Sequence, residues 1–158
     1  LFQECRAPLF PALAKRALRN LDQLRHAGVA VAESVERQTR RWCDSWSERL
    51  QAVDCFSLTH GDIHRANGIF TADGDYCLID FTKFEYALAA KDIVRYRHKL
   101  CRNNATKFGV FREEYDRNLA PEAAATVHEF VPFYMALYSL AAAAAYAKRA
   151  ARSRRPFS

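Results

Sequence analysis

Between Asn67 and Asp80 the chain has to turn back on itself, and no other feature constrains the fold as much. Gly68-Ile69-Phe70-Thr71 and Tyr76-Cys77-Leu78-Ile79 are short β-prone runs, separated by Ala72-Asp73-Gly74-Asp75. An Asp-Gly pair between such runs is a strong hairpin signal, because glycine takes the positive φ that a tight return needs. A hairpin brings its two ends together. Asn67, just before the first run, and Asp80, just after the second, are therefore expected within reach of one cation. Five residues before Asn67 stands Asp62, in His60-Gly61-Asp62-Ile63-His64-Arg65-Ala66-Asn67.

These groups form a chemical set. An aspartate can orient an attacking hydroxyl, an asparagine can bind magnesium, and a second aspartate can bridge metal and phosphates. Phosphoryl transfer from ATP requires that combination. Singly, each residue has a plainer reading: Asp73-Gly74 is a turn, Asp62 could cap one, and Asn67 could be a loop amide. At this spacing the three together point to a reaction.

The rest of the chain reads as mostly helical. Pro11 opens a helix with Leu13, Leu18, Leu21 and Leu24 on one side and Gly28 as its stop. A second helix is expected from about Glu33 to Val53, with Val35, Trp42, Cys43, Trp46, Leu50 and Val53 on its apolar face. The aromatic stripe reads as packing between these helices, with ligand stacking by Trp42 or Trp46 as the lesser alternative. Cys55-Phe56-Ser57-Leu58-Thr59 is β-prone and delivers the chain into His60. From Lys91 the pattern is helical again, through Asp92, Ile93, Tyr96, Arg97 and Leu100. Asn103-Asn104 and Gly109 are read as loop. Pro121 then opens a long helix carrying Val127, Phe130, Val131, Tyr134, Leu137, Tyr138 and Ala141. Phe130 to Ala147 is uncharged for 18 residues, so a membrane span competes with a buried core helix. Pro132, Ser139, three tyrosines and many alanines favour the core helix.

Composition sets the outer bounds. With 158 residues, 50% hydrophobic and 27% charged, the chain suits one globular domain with a real core. Cys5, Cys43, Cys55, Cys77 and Cys101 are scattered and never form a C-x-x-C pair. That argues against a disulfide framework or a zinc site and for a reduced, cytoplasmic setting. The chain opens on Leu1-Phe2-Gln3 and Met135 is its one methionine, so a fragment of a longer protein is expected. The net charge is +6, and Lys148, Arg149, Arg152, Arg154 and Arg155 cluster at the tail. Such a tail could meet nucleic acid or anionic lipid. A solvated helix end, where cations suit the dipole, is the favoured reading.

His60-Gly61-Asp62-Ile63-His64-Arg65-Ala66-Asn67 with Ile79-Asp80-Phe81 resembles the catalytic segment of the aminoglycoside phosphotransferase and choline kinase-like family. That family is a small-molecule branch of the protein kinase-like fold, with the motif H-G-D-[LI]-H-x-x-N and a later apolar strand ending in I-D-[FW]. Every defined position is present. The resemblance implies that Asp62 orients the acceptor hydroxyl and takes its proton, and that Asn67 and Asp80 hold Mg2+. It makes His60 and Asp92 braces of the catalytic loop and gives Ile69 the floor under the adenine of ATP. His64 is left as either substrate-facing or structural.

The implied fold is mainly α with a small β-hairpin (α+β), the C-terminal lobe of a kinase-like fold in a single domain over 1–158. Within it, 1–54 is a helical substrate-side segment, 55–82 the catalytic loop and metal hairpin, and 83–158 a helical bundle. With glycines only at Gly28, Gly61, Gly68, Gly74 and Gly109, the chain has no Gly-rich phosphate loop. The N-terminal lobe is therefore expected outside this chain, and the isolated lobe is expected to be inactive. Thr82-Lys83 after Asp80-Phe81 departs from the family's usual acidic or small residues; Lys83 would oppose magnesium if turned inward, or could contact a phosphate. Glu85 to Ala90 lacks the glycine and proline common before the position of Asp92. The implied function is ATP- and magnesium-dependent phosphorylation of a small-molecule hydroxyl on an aminoglycoside, amino alcohol or sugar-like compound. Glu113, Glu114 and Asp116 are candidates to meet a cationic acceptor, or simply a solvated helix face. A catalytically weak or regulatory kinase-like domain is the alternative, and a basic nucleic-acid- or membrane-binding module is less favoured.

Overall fold

The computed structural model describes residues 9–53 and 56–153. Cys5, Cys55, Arg154 and Arg155 lie outside them, as does the Leu1-Phe2-Gln3 opening. The described chain is mainly helical with two small antiparallel sheets. It divides into two compact units, one of residues 1–53 with 136–158 and one of residues 54–135.

The first unit opens with α1 (Leu9–His26) and α2 (Glu33–Gln51). Helix α1 stops as expected at Gly28, which sits at φ 82°. The Gly28 N–H donates to Arg25 O at 2.9 Å and the Val29 N–H to Leu24 O at 3.0 Å. That pair of bonds closes a helix end that only a left-handed residue can make, and glycine enters that region without a Cβ penalty. Ala17 and Leu21, one turn apart, are buried, as are Cys43 and Leu50, two turns apart on α2. Arg25 of α1 pairs with Glu36 of α2 at 2.7 Å. Trp42 and Trp46 are half-buried, and the Arg49 guanidinium lies over the Trp46 ring at 4.6 Å. Val35, expected on the apolar face, is 42% exposed. It sits in the first turn, where an apolar side chain is easily left uncovered.

The second unit carries the strands. Strand β1 (Ser57–Thr59) leads into a loop and a 3₁₀ turn (Arg65–Asn67). Strands β2 (Gly68–Phe70) and β3 (Tyr76–Leu78) form the expected hairpin, with Gly68 opposite Leu78. Gly74 takes φ 89° at its tip. Gly68 is needed for another reason: a Cβ there would run into the Tyr76 ring. A second 3₁₀ turn (Phe81–Lys83) follows, then β4 (Glu85–Ala87), which pairs antiparallel with β1. Glu-Tyr-Ala is a weak strand signal, and β4 is held by its partner rather than by propensity.

Helix α3 (Ala90–Arg95) continues into a wider π-helical turn (Tyr96–Leu100), closed by a Cys101 N–H to Tyr96 O bond of 3.0 Å. Gly109, read from sequence as loop, lies inside α4 (Ala105–Arg117). The helix starts at Asn104, whose Oδ1 accepts the Lys107 N–H at 2.9 Å, and its aromatic contacts outweigh the glycine's cost. Phe111 stacks on Tyr96 at 3.8 Å between ring centroids. Helix α5 (Pro121–Ser153) runs without a break through Pro132. In the second unit it buries Val127, Phe130, Phe133 and Tyr134, and in the first unit Leu137 and Ala144. A buried core helix was expected here, and one stripe of this helix is buried. An apolar 18-residue stretch of it is only 28% buried, and length and composition alone would let this helix cross a membrane.

Candidate active site

Asp62, Asn67, Asp80, His60, Asp92 and His64 all fall in the second unit, and two strand registers bring them together. The hairpin register continues one step past β2 and β3, where the Ile79 N–H donates to Asn67 O at 3.0 Å. Asp80 is the next residue, so its backbone lies one step beyond that pairing. The β1–β4 register pairs Thr59 with Glu85. Carried two residues further, it sets Gly61 opposite Lys83. The backbone there is close: a Cβ on Gly61 would lie 2.2 Å from Lys83 O, and Gly61 holds φ 73°. Only glycine meets both demands.

The loop is braced from two sides. Asp92 accepts the His60 N–H at 2.5 Å and the Gly61 N–H at 3.0 Å, one on each carboxylate oxygen. It sits in the first turn of α3, where a carboxylate also suits the helix dipole. The His60 ring spans the loop's other side. Its Nδ1 accepts the Asp62 N–H at 3.3 Å, so its proton is on Nε2, which donates to Ile79 O at 2.9 Å. Phe81 packs against this ring with centroids 4.6 Å apart. His60 therefore ties the loop to the end of β3 and has no nitrogen left for proton transfer.

Asp62 lies among cations. Its Oδ1 accepts from Arg95 Nη1 at 3.1 Å, its Oδ2 bonds Lys83 Nζ, and His64 Nε2 stands 3.8 Å from Oδ2. The Lys83 ammonium, helped by the charges of Arg95 and His64, holds the Asp62 carboxyl below the usual carboxylate range. His64 also accepts the Ala66 N–H on Nδ1 at 3.2 Å, which starts the turn leading to Asn67.

Asn67 is buried, and its Nδ2 donates to Asp62 O at 3.0 Å. The amide is thereby oriented, and the atom left for a cation is its Oδ1. Asp80 takes a left-handed backbone, φ 62° and ψ 70°, which aspartate tolerates better than most residues. Its Oδ1 accepts the Thr82 hydroxyl at 2.6 Å and the Thr82 N–H at 3.3 Å. Those bonds hold its carboxyl below the ordinary range. Oδ2 is left for a ligand. Magnesium prefers hard oxygens and takes one or two carboxylates together with phosphates and water. An amide oxygen and an aspartate oxygen are the donor types that demand calls for. Among the described residues no three His, Cys, Asp or Glu side chains group as a metal site.

Three features were beyond the motif. Arg95, the second cation on Asp62, has a signal in retrospect: it lies one turn after Asp92 on the same helix, and Asp92 already touches the loop. The contact of Lys83 with Asp62 follows from the β1–β4 register. Phe81 was seen as a motif residue without its role against His60. Of the acidic candidates for the acceptor, Glu114 pairs with Arg117 at 2.6 Å and Asp116 with His128 at 2.8 Å, while Glu113 is exposed. Glu114 is thus engaged within its own helix, as on a solvated face, while Asp116 reaches across to α5. Ile69 is 52% exposed on β2, open to a flat apolar ligand.

A model of the phosphotransferase enzyme family matches residues 2–130 of the chain. No curated protein and no solved structure matches it.

Proposed function

Because the chain belongs to the phosphotransferase enzyme family, we propose that it phosphorylates the hydroxyl of a small molecule from magnesium-ATP. The acceptor class is an aminoglycoside, amino alcohol or sugar-like compound. The observation that carries this reading is the meeting of Asp62 with the hairpin-closed pair Asn67 and Asp80. Asp62 orients the acceptor O–H. As the acceptor oxygen bonds the γ-phosphorus, the bond from that phosphorus to the nucleotide's bridging oxygen breaks and the acceptor proton passes to the Asp62 carboxylate. Asn67 Oδ1 and Asp80 Oδ2 would hold Mg2+, which supplies charge neutralisation on the phosphates. His60 and Asp92 keep the loop in place.

Around this site Leu58, Ile69, Phe70, Ile79, Phe81, Phe84 and Tyr86 are all exposed. In our reading the nucleotide covers Ile69, and a second, N-terminal lobe covers the strands beyond it. The domain is then the C-terminal lobe of a kinase-like fold acting in the cytoplasm, with no role for nucleic acid or membrane. The Lys83 ammonium on Asp62 favours a second reading, a catalytically weak or regulatory kinase-like domain. Incubating the full-length protein with magnesium-ATP and a panel of aminoglycosides, amino alcohols and sugars, followed by ³¹P NMR, separates the two. A new phosphate ester that disappears in Asp62→Ala and Asp80→Ala supports the kinase. Ester formation that survives both substitutions unchanged overturns it.

A further inference from the structure

The two oxygens of Asp62 are held in different ways. On Oδ1 the partner is Arg95, and both side chains of that pair are 21% exposed. Arg95 projects from α3, the same helix whose Asp92 grips the backbone of His60 and Gly61. One turn of helix therefore fixes the loop's backbone through a carboxylate and its working side chain through a guanidinium. On Oδ2 the partner is Lys83, 63% exposed, from the turn Phe81–Lys83, and His64 Nε2 stands 3.8 Å from the same oxygen.

The physics of the two cations differs in the same sense. A guanidinium is planar, weakly hydrated and presents fixed donors, so a half-buried Arg–carboxylate pair orients its partner. An ammonium on a long, exposed stem is strongly hydrated and screened, and such pairs contribute little to stability. One contact is built into the fold and the other can be exchanged.

We propose that Oδ1 is the anchored oxygen of Asp62 and Oδ2 the working one. Arg95 is a positioning residue, and Lys83 occupies Oδ2 until an acceptor hydroxyl takes its place. This rests on the reading of Asp62 as the group that orients the acceptor. It assigns to Lys83 a resting contact that competes with the acceptor, rather than a phosphate contact that assists transfer.

The test uses the full-length protein with water as the acceptor, so no unidentified substrate is needed. Hydrolysis of magnesium-ATP is followed as ADP release, and melting of the protein without nucleotide supplies a readout apart from activity. Arg95→Gln is expected to lower kcat about tenfold or more with little change in the KM for ATP, and Arg95→Lys to recover part of the loss. Lys83→Met is expected to raise kcat about threefold, since water then reaches Oδ2 without displacing an ammonium. In melting, Arg95→Gln should cost several degrees in the wild type and much less in Asp62→Asn, because the pair is coupled. Lys83→Met should shift neither background by more than about a degree. If Lys83→Met lowers hydrolysis as much as Arg95→Gln does while Asp62→Asn abolishes it, Lys83 assists transfer and the division of oxygens is wrong. If Asp62→Asn itself hydrolyses ATP like the wild type, the underlying reading of Asp62 fails instead.

Discussion

The charged contacts of the two-helix segment and those of the candidate catalytic segment obey different rules. On α1 and α2 they are mostly one turn apart: Asp22–Arg25 at 3.1 Å, Glu33–Arg37 at 3.4 Å and Glu36–Arg40 at 2.8 Å. Around Asp62, His64 aside, the partners stand far off in sequence: Lys83 by 21 residues and Arg95 by 33, with Asp92 32 from His60. A pair one turn apart exists as soon as the helix does. A pair across the strands exists only after β1, β4 and α3 have assembled. The first kind decorates a helix, and the second defines a site.

That contrast can be broken or sharpened at single residues. Asp62→Asn keeps the shape and removes the charge, so phosphoryl transfer is expected to fall about 10²–10⁴-fold, read as ester or ADP formation. Asp92→Ala leaves the N–H groups of His60 and Gly61 without their acceptor. It should destabilise the fold by about 1.5–3 kcal/mol, seen as a lower urea midpoint, with activity lost in proportion to loop order. Gly61→Ala forces a Cβ into the left-handed region and against Lys83 O. A cost of about 1–2 kcal/mol for the backbone alone is expected in the same measurement.

The acid limb of stability should carry the same signature. The folded pKa of Asp62 lies below its ordinary value, so its ion pairs contribute above the unfolded pKa of about 3.9 and are lost as pH falls below that. Denaturant midpoints measured downward from about pH 5 should therefore drop less steeply in Asp62→Asn than in the wild type. At the small end, Arg37→Ala on α2 removes an exposed one-turn pair and is expected to change stability by less than about 0.5 kcal/mol. A larger loss there would erase the contrast between the two regions.

Local signals carried much of this into the sequence. Gly28 announced the end of α1 because a left-handed residue was needed, and Asp73-Gly74 announced the hairpin because its turn needs positive φ. The same hairpin was expected to bring its two ends together, and the Ile79 N–H bond to Asn67 O closes them. Gly109 misled, because the aromatic contacts around Phe111 hold a helix through a residue that argues against one. Strand β4 was silent, since Glu85-Tyr86-Ala87 is a strand by pairing and not by composition. Arg95 was hidden for a related reason: a positively charged residue on a helix looks like any solvated one until the loop it faces is in place. What depends on neighbours along the chain is legible. What depends on neighbours across the fold emerges only with the register.

The most direct measurement is the magnesium dependence of ADP release by the full-length protein, comparing wild type with Asp62→Asn and Asp80→Asn. We expect wild-type release that requires magnesium and that falls at least about 10²-fold in each variant, since on the proposed reading one loses the acceptor's orienting group and the other a metal ligand. Wild-type rates in both variants, or release indifferent to magnesium, would contradict the assignment of Asp62, Asn67 and Asp80 as a phosphotransferase centre.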